Sequence, residues 1–231
     1  EPGDEVIIPA PYWVSFPEQV KLCDGKPVFV ETHEHEGFRL HKALVEPLVT
    51  SRTKILVLNS PCNPTGAALS LAELQGLADL ATEWGVWLLS DETYESLIYD
   101  DHRHVSIASL GDRAYAQTIL VSSLSKAYAM TGWRLGYVIS PKEFVRPMQK
   151  IQQNLFISAS SFAQWGALAG LKRAEKDVER MTKTYDRRRR FLIPRLKGLG
   201  FGITVEPTGA FYILANAKRF SQDSYSLAFD I

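Results

Sequence analysis

Six short apolar runs punctuate the first 140 residues: VIIP from Val6, PVFVE from Pro27, KILVLN from Lys54, VWLLSD from Val86, TILVSSLS from Thr118 and RLGYVIS from Arg134. Runs of this length, set between segments of helical period, predict strands alternating with helices, the rhythm of an α/β sheet. Between the third and fourth runs, Ser70 and Glu73 have capping-box spacing, Leu74, Leu77 and Leu80 repeat at helical intervals, and Gly85 marks a stop. The segment predicts a helix long enough to join two parallel strands, whose carboxyl ends then share one edge of the sheet. Ligands of open α/β sheets bind outside that edge, so polar residues that directly follow an apolar run are the candidates for chemistry.

After Ser140 the strand signal gives way to helical patterns, first from Pro141, then around Phe162 to Leu171, then from Glu175 to Lys197, with Pro194 expected to kink the last. GITVEP and GAFYIL, from Gly202 and Gly209, read as two short strands around a Pro-Thr-Gly turn. A domain boundary is placed near Gly198 to Gly200, giving a large domain over 1–198 and the beginning of a small α+β domain over 199–231. The consecutive arginines Arg187 to Arg190 point about 100° apart on a helix and read as a solvated face rather than a binding patch.

Composition narrows the function. Of the 231 residues, 45% are hydrophobic and 23% charged, enough to bury a large core and far from a disordered composition. Lys and Arg number 26 and Asp and Glu 26, so no net field draws the chain to nucleic acid or an anionic membrane. No apolar run approaches the ~20 residues of a membrane span. Two cysteines, Cys23 and Cys62, are too few for a disulfide framework and point to a reducing, cytoplasmic setting. The chain opens on EPGDEVIIPAP without Met and closes on SLAFDI without a stop signal, and a segment of a longer polypeptide is expected.

Three stretches carry candidate chemistry. SSLSKAYAMTGWRLG, from Ser122, sets hydroxyls, Lys126 and Arg134 just past an apolar strand. Partial desolvation disfavours an ammonium, which suits a Schiff-base nucleophile, and an arginine with nearby serines suits a phosphate. NSPCNPTG, from Asn59, forms a turn between a strand and the capped helix. SDETYESL, from Ser90, sets Asp91 at a strand end with Tyr94 three residues on, where a carboxylate needs a cation to offset its desolvation.

NPTG, then D-x-x-Y, then S-x-x-K with an arginine eight residues beyond, with Pro-Tyr-Trp upstream, resembles the class I, fold-type I pyridoxal-phosphate aminotransferases, and within them the aspartate, aromatic and prephenate subgroup. The likeness runs from about Pro9 to Asp230. It implies a three-layer large domain with a mainly parallel sheet, pyridoxal 5'-phosphate as cofactor, a homodimer, and transfer of an amino group from an aspartate-, aromatic- or alanine-type amino acid to a 2-oxo acid such as 2-oxoglutarate. By the same resemblance Lys126 is the Schiff-base lysine and proton shuttle, Asp91 the partner of the pyridinium nitrogen, and Asn63 and Tyr94 the donors to the phenolic oxygen. Ser123 and Arg134 hold the phosphate, and Trp13 stacks on the ring. The family's phosphate-binding turn and a tyrosine reaching into the neighbouring subunit would precede Glu1, and its carboxylate-clamping arginine would follow Ile231.

Two other readings stand beside this one: a non-catalytic aminotransferase-like module that binds cofactor or a partner, and a carbon–sulfur lyase on the same fold. A dinucleotide oxidoreductase lacks its G-x-G-x-x-G motif here. Cys62 reads as a small buried residue. His33 with His35, and His102 with His104, read as solvated loop positions without a metal, since no third ligand follows at a recognisable spacing. GAFY, from Gly209, reads as strand packing, with a hinge or substrate-facing role as the alternative.

Overall fold

A computed structural model describes all residues, 1–231. Its centre is one six-stranded sheet, β1 (Glu5–Ala10), β2 (Lys26–Glu31), β3 (Thr53–Asn59), β4 (Trp87–Asp91), β5 (Thr118–Ser123) and β6 (Gly136–Ile139), in the spatial order β2-β1-β3-β4-β5-β6. The first five strands are mutually parallel and β6 is antiparallel to β5. Six apolar runs have become six strands, and the chain order reverses direction across the sheet between β1 and β3.

Successive strand residues face opposite sides, and both sides are covered. Ile7, Leu56, Leu58 and Leu88 pack with Leu74, Leu77 and Leu80 of α3 (Leu71–Trp84), while Ile8 and Val57 pack against Phe16 of α1 (Ser15–Leu22). The result is the expected three layers. α3 starts on the full capping box between Ser70 and Glu73 and ends on Gly85 in the left-handed conformation, as its sequence signals predict. Leu77 and Leu80 are completely buried, and each removes apolar surface worth ~1.5–3 kcal/mol.

The remaining helices are short or peripheral: α2 (Lys42–Val45), α4 (Asp112–Ala116), α5 (Leu124–Ala127), α6 (Lys142–Phe156), α7 (Ser161–Arg173), α8 (Glu175–Leu199) and α9 (Ser224–Asp230). Pro194 does not end α8, which continues to Leu199 and closes on left-handed Gly200. No helix is long and apolar enough to cross a membrane.

Two expectations require correction. The segments at 202–207 and 209–214 do not form a pair of strands; they contribute isolated bridges, Gly202 with Asn216 and Gly209 with Ile98. The reason lies in where the backbone bonds go. Thr208 and Gly209 N–H both donate to the Gly66 carbonyl (2.9 and 2.8 Å), Ala210 N–H donates to Leu97 (2.9 Å), and Tyr99 N–H donates to Thr208 (3.0 Å). The Pro-Thr-Gly turn is thus strapped to the loops after β3 and β4 rather than folded on itself.

The arginine quartet is also not uniformly solvated. Arg189 is 7% exposed and donates to both Asp100 carboxylate oxygens (2.9 and 2.8 Å), to Asp186 (2.9 Å) and to the Pro207 carbonyl (3.0 Å), with its guanidinium over the Tyr99 ring. Arg187, Arg188 and Arg190 remain exposed. One arginine in four was needed to satisfy two carboxylates and a carbonyl together, and the planar fork of Arg suits that task.

Gly66 is where strap and loop meet. It has φ +72°, and a Cβ there would collide with Pro207 Cβ and lie 3.0 Å from the Gly209 carbonyl oxygen. Gly66→Ala is expected to destabilise the chain by ~2–4 kcal/mol through the combined strain and overpacking, measured by denaturant unfolding. A change below ~0.5 kcal/mol would mean that the strap is not seated as described.

Candidate active site

The carboxyl ends of β1, β3, β4 and β5 lie along one edge, and because β6 runs the other way, its start lies there too. This arrangement collects all seven residues singled out in the sequence: Trp13 beyond β1, Asn63 beyond β3, Asp91 at the end of β4 with Tyr94 after it, Ser123 at the end of β5 with Lys126 after it, and Arg134 just before β6. Asn59 pairs with Asp91 across β3 and β4, and Ser123 pairs with Gly136 across β5 and β6, so the strand ends are level. A cavity of about 40 Å³ lies at the point where the strand order reverses, lined in part by Pro11, Asn59 and Cys62.

Asn59 organises the loop. Its side chain donates to the Asp91 carbonyl (3.2 Å) and accepts from the Asn63 backbone N–H (2.7 Å), tying the NPTG turn to the end of β4. The Asp91 carboxylate accepts one bond, from Thr93 N–H (3.1 Å), and has no cationic side chain within ion-pair distance. Burial pushes its carboxyl above the usual range, against the pull of the Thr93 bond and of the Lys126 charge.

Lys126 lies in the last turn of α5, half-buried, with its ammonium in no ion pair or side-chain hydrogen bond. The Nζ lies 5.9 Å from the centre of the Tyr94 ring and 5.5 Å from that of Phe211. Tyr94 is 4% exposed, and its hydroxyl meets that of Tyr212 at 2.7 Å. Burial, and then the Tyr212 hydroxyl, push the Tyr94 phenol well above its usual range. Phe211 and Tyr212 thus belong to the site, so the strand-packing reading of GAFY gives way to the site-facing one.

Ser123 caps α5, accepting from Ser125 N–H (3.1 Å) and donating to the Leu135 carbonyl (3.3 Å), which fixes the turn preceding β6. Arg134 sits in the left-handed conformation at φ 55°, exposed, with Nη1 donating to the Thr131 carbonyl (2.8 Å). Trp13 is 40% exposed, and its ring meets that of Phe16 edge-on at 88°. Close contacts therefore join Tyr94 to Lys126, whereas Trp13, Asn63, Ser123 and Arg134 share the edge without touching them through side-chain bonds.

The histidines divide. His33 and His35 are exposed, as expected, but His104 is not a solvated loop residue: its Nε2 lies 2.8 Å from the Glu92 carboxylate, which is 2% exposed and also accepts from Ser90 and Ser106. A buried carboxylate requires such partners, and the residue after Asp91 turns into the core. Glu95 lies within 4.8 Å of the Glu92 and His104 ligand atoms, but its carboxylate accepts from Ser122 (3.2 Å) and forms no hydrogen bond with theirs. Cys62 is half-buried with its thiol pushed up by burial, and Cys23 is exposed; neither forms a disulfide.

Comparison with known proteins agrees with this geometry. Residues 1–226 match the family model described as aminotransferase class I and II. The chain is 46% identical over 218 residues to an aspartate aminotransferase of Pyrococcus abyssi and 42% identical over 231 residues to an aspartate/prephenate aminotransferase of Thermus thermophilus, covering 94% and 99% of its own length. It covers 56% and 59% of theirs, so it spans little more than half the length of these relatives. Among solved structures, aspartate aminotransferase from Thermus thermophilus with maleate superposes with a TM-score of 0.94 at 41% identity, over 99% of this chain and 59% of that one. An aromatic aminotransferase from Pyrococcus horikoshii gives 0.89 at 46%, over 93% and 58%.

The raised Asp91 pKa has a signed consequence. The unfolded carboxyl ionises above its ordinary value of 3.8, while the folded one holds its proton to higher pH, so stability falls as pH rises through that window. Asp91→Asn is therefore expected to stabilise the chain against urea at pH 7, with the advantage fading toward pH 3. Equal stability of the two proteins at pH 7 would contradict the desolvated carboxylate.

Proposed function

The chain belongs to the class I and II aminotransferases, and from that premise we propose that the protein is a pyridoxal 5'-phosphate-dependent transaminase. It moves the amino group of an aspartate-, aromatic- or alanine-type amino acid to a 2-oxo acid such as 2-oxoglutarate. The observation that carries this reading is a pair of unneutralised groups: a desolvated Asp91 carboxylate without a cationic side-chain partner, and a half-buried Lys126 amine without an acidic one. Such a pair suits a molecule with a basic ring nitrogen and an aldehyde.

The donor set fits that cofactor. Asp91 would hold the ring nitrogen in its protonated form, Asn63 and Tyr94 would face the phenolic oxygen, Ser123 and Arg134 the phosphate, and Trp13 the ring face. When bound, the cofactor supplies an electron sink for charge that develops at the substrate α-carbon. Lys126 is the nucleophile and, once free, the base that holds the proton removed from that carbon. The faces of Tyr94 and Phe211 flank its Nζ and limit both its water contact and its range of motion. Asp91 sits at the end of a central strand with its backbone bonded on both sides, which keeps the carboxylate in place as charge moves.

The reading extends to domain, partner and compartment. Residues 1–198 form the cofactor domain and 199–231 lead into a second one. A homodimer is proposed, and Ile151, Leu155, Phe156, Phe162 and Trp165, which α6 and α7 leave exposed, support an extensive covered surface. Two free thiols and balanced charge are in keeping with a cytoplasmic setting.

Addition of pyridoxal 5'-phosphate is expected to produce a visible absorption band, and borohydride to fix the label on the peptide containing Lys126. Lys126→Ala is expected to abolish both. A label on another lysine, or an unchanged band in Lys126→Ala, would refute the assignment. Product analysis with amino acid and 2-oxo acid then separates transamination from the release of ammonia by a lyase.

A further inference from the structure

The hydroxyl contact between Tyr94 and Tyr212 raises a question of direction. A phenol has one hydrogen to donate. At 2.7 Å one of these two donates to the other, and neither ring nitrogen nor carboxylate intervenes. If Tyr94 donated, its hydrogen would be consumed within the protein and only lone pairs would face the site. If Tyr212 donates, the hydrogen of Tyr94 is free to point outward.

Tyr212 is held where it can act. The two residues before its neighbour Phe211 are strapped to Gly66 and Leu97, the Pro207 carbonyl is held by Arg189, and the Tyr99 hydroxyl donates to the Ala210 carbonyl. Ala210 itself is fully buried in the left-handed conformation at φ 58°. The rings of Phe211 and Tyr212 meet Tyr94 edge-on at 5.2 and 5.6 Å, so Tyr94 cannot turn its hydroxyl away without displacing both.

We propose that Tyr212 is a positioning residue of this site: its hydroxyl donates to Tyr94 and so orients the Tyr94 hydrogen toward the ring oxygen of a bound pyridoxal compound. A hydroxyl that accepts a bond also donates a stronger one, so Tyr212 reinforces Tyr94 besides aiming it. The inference rests on the cofactor reading above and adds to it a residue from the far side of α8, which makes the 207–212 strap part of the electrostatics of the site.

The test is the pH at which the visible band of the protein with pyridoxal 5'-phosphate titrates, measured for wild type, Tyr94→Phe, Tyr212→Phe and the double variant. Loss of a donor leaves more negative charge on the ring oxygen and favours a nearby proton, so the midpoint rises. Tyr94→Phe is expected to raise it by about one unit and Tyr212→Phe by roughly half a unit. The double variant is expected to match Tyr94→Phe alone, because Tyr212 acts only through Tyr94. A wild-type midpoint in Tyr212→Phe, or a double-variant shift equal to the sum, overturns the proposal; a purely structural role would lower stability without moving the midpoint. Should Tyr212→Phe not fold, Tyr212→Met carries the same comparison. Absence of any band in wild type refutes the cofactor reading and this inference with it, whereas a wild-type band whose midpoint Tyr212→Phe leaves unmoved refutes this inference alone.

Discussion

Parallel pairing of β3, β4 and β5 requires their carboxyl ends to finish level, and the rest of the site depends on that constraint. A parallel strand cannot follow its neighbour through a tight turn; it needs a crossover, and the crossover returns the chain to the opposite edge each time. Each loop that leaves a carboxyl end therefore opens onto the same side. Asn59, Asp91 and Ser123 are the last residues of three strands, and Lys126 stands within one turn of the third. Reversal of β6 brings Arg134 to that edge, where a sixth parallel strand would have carried it to the opposite one.

The second constraint is the strap. Residues 208–210 place their N–H groups on the carbonyls of Gly66 and Leu97, and Arg189 secures the Pro207 carbonyl while neutralising Asp100 and Asp186. Distant parts of the chain thus share one small network in a way that no local rule requires. Its consequence is chemical, because the next two residues, Phe211 and Tyr212, complete the surroundings of Lys126 and Tyr94. Glycine at 66 is the condition for this approach, since any side chain there would occupy the space of Pro207.

What could be read in advance follows the range of the interactions involved. Strand runs, the Ser70 and Glu73 cap and the stop at Gly85 are encoded within a few residues, and all appear as expected. The edge positions of Asp91, Ser123 and Lys126 were legible for the same reason, as polar residues that end apolar runs. Arg189 and His104 were not, and for Tyr212 the GAFY segment offered a substrate-facing role only as an alternative, because each derives its role from a partner 12 to 118 residues away. Gly202 and Gly209 misled in the opposite sense: their alternating neighbours have the period of strands, yet the backbone found better partners in the loops after β3 and β4. Asn59 carried a signal, a polar residue closing KILVLN, that its fixed role in the loop now explains.

An active site costs stability where it withholds partners from groups that need them. Asp91 is such a group: buried enough to raise its pKa, bonded once, and left without a cation of the protein's own. Under the proposed function, this carboxylate is kept for the protonated nitrogen of the cofactor. A carbon-13 NMR titration of the Asp91 carboxyl, assigned by its loss in Asp91→Asn, tests it directly when run with and without pyridoxal 5'-phosphate. The expected result is a pKa above the ordinary aspartate value for the protein alone and a fall well below it once the cofactor is added; an ordinary value that the cofactor leaves unmoved would refute this role for Asp91.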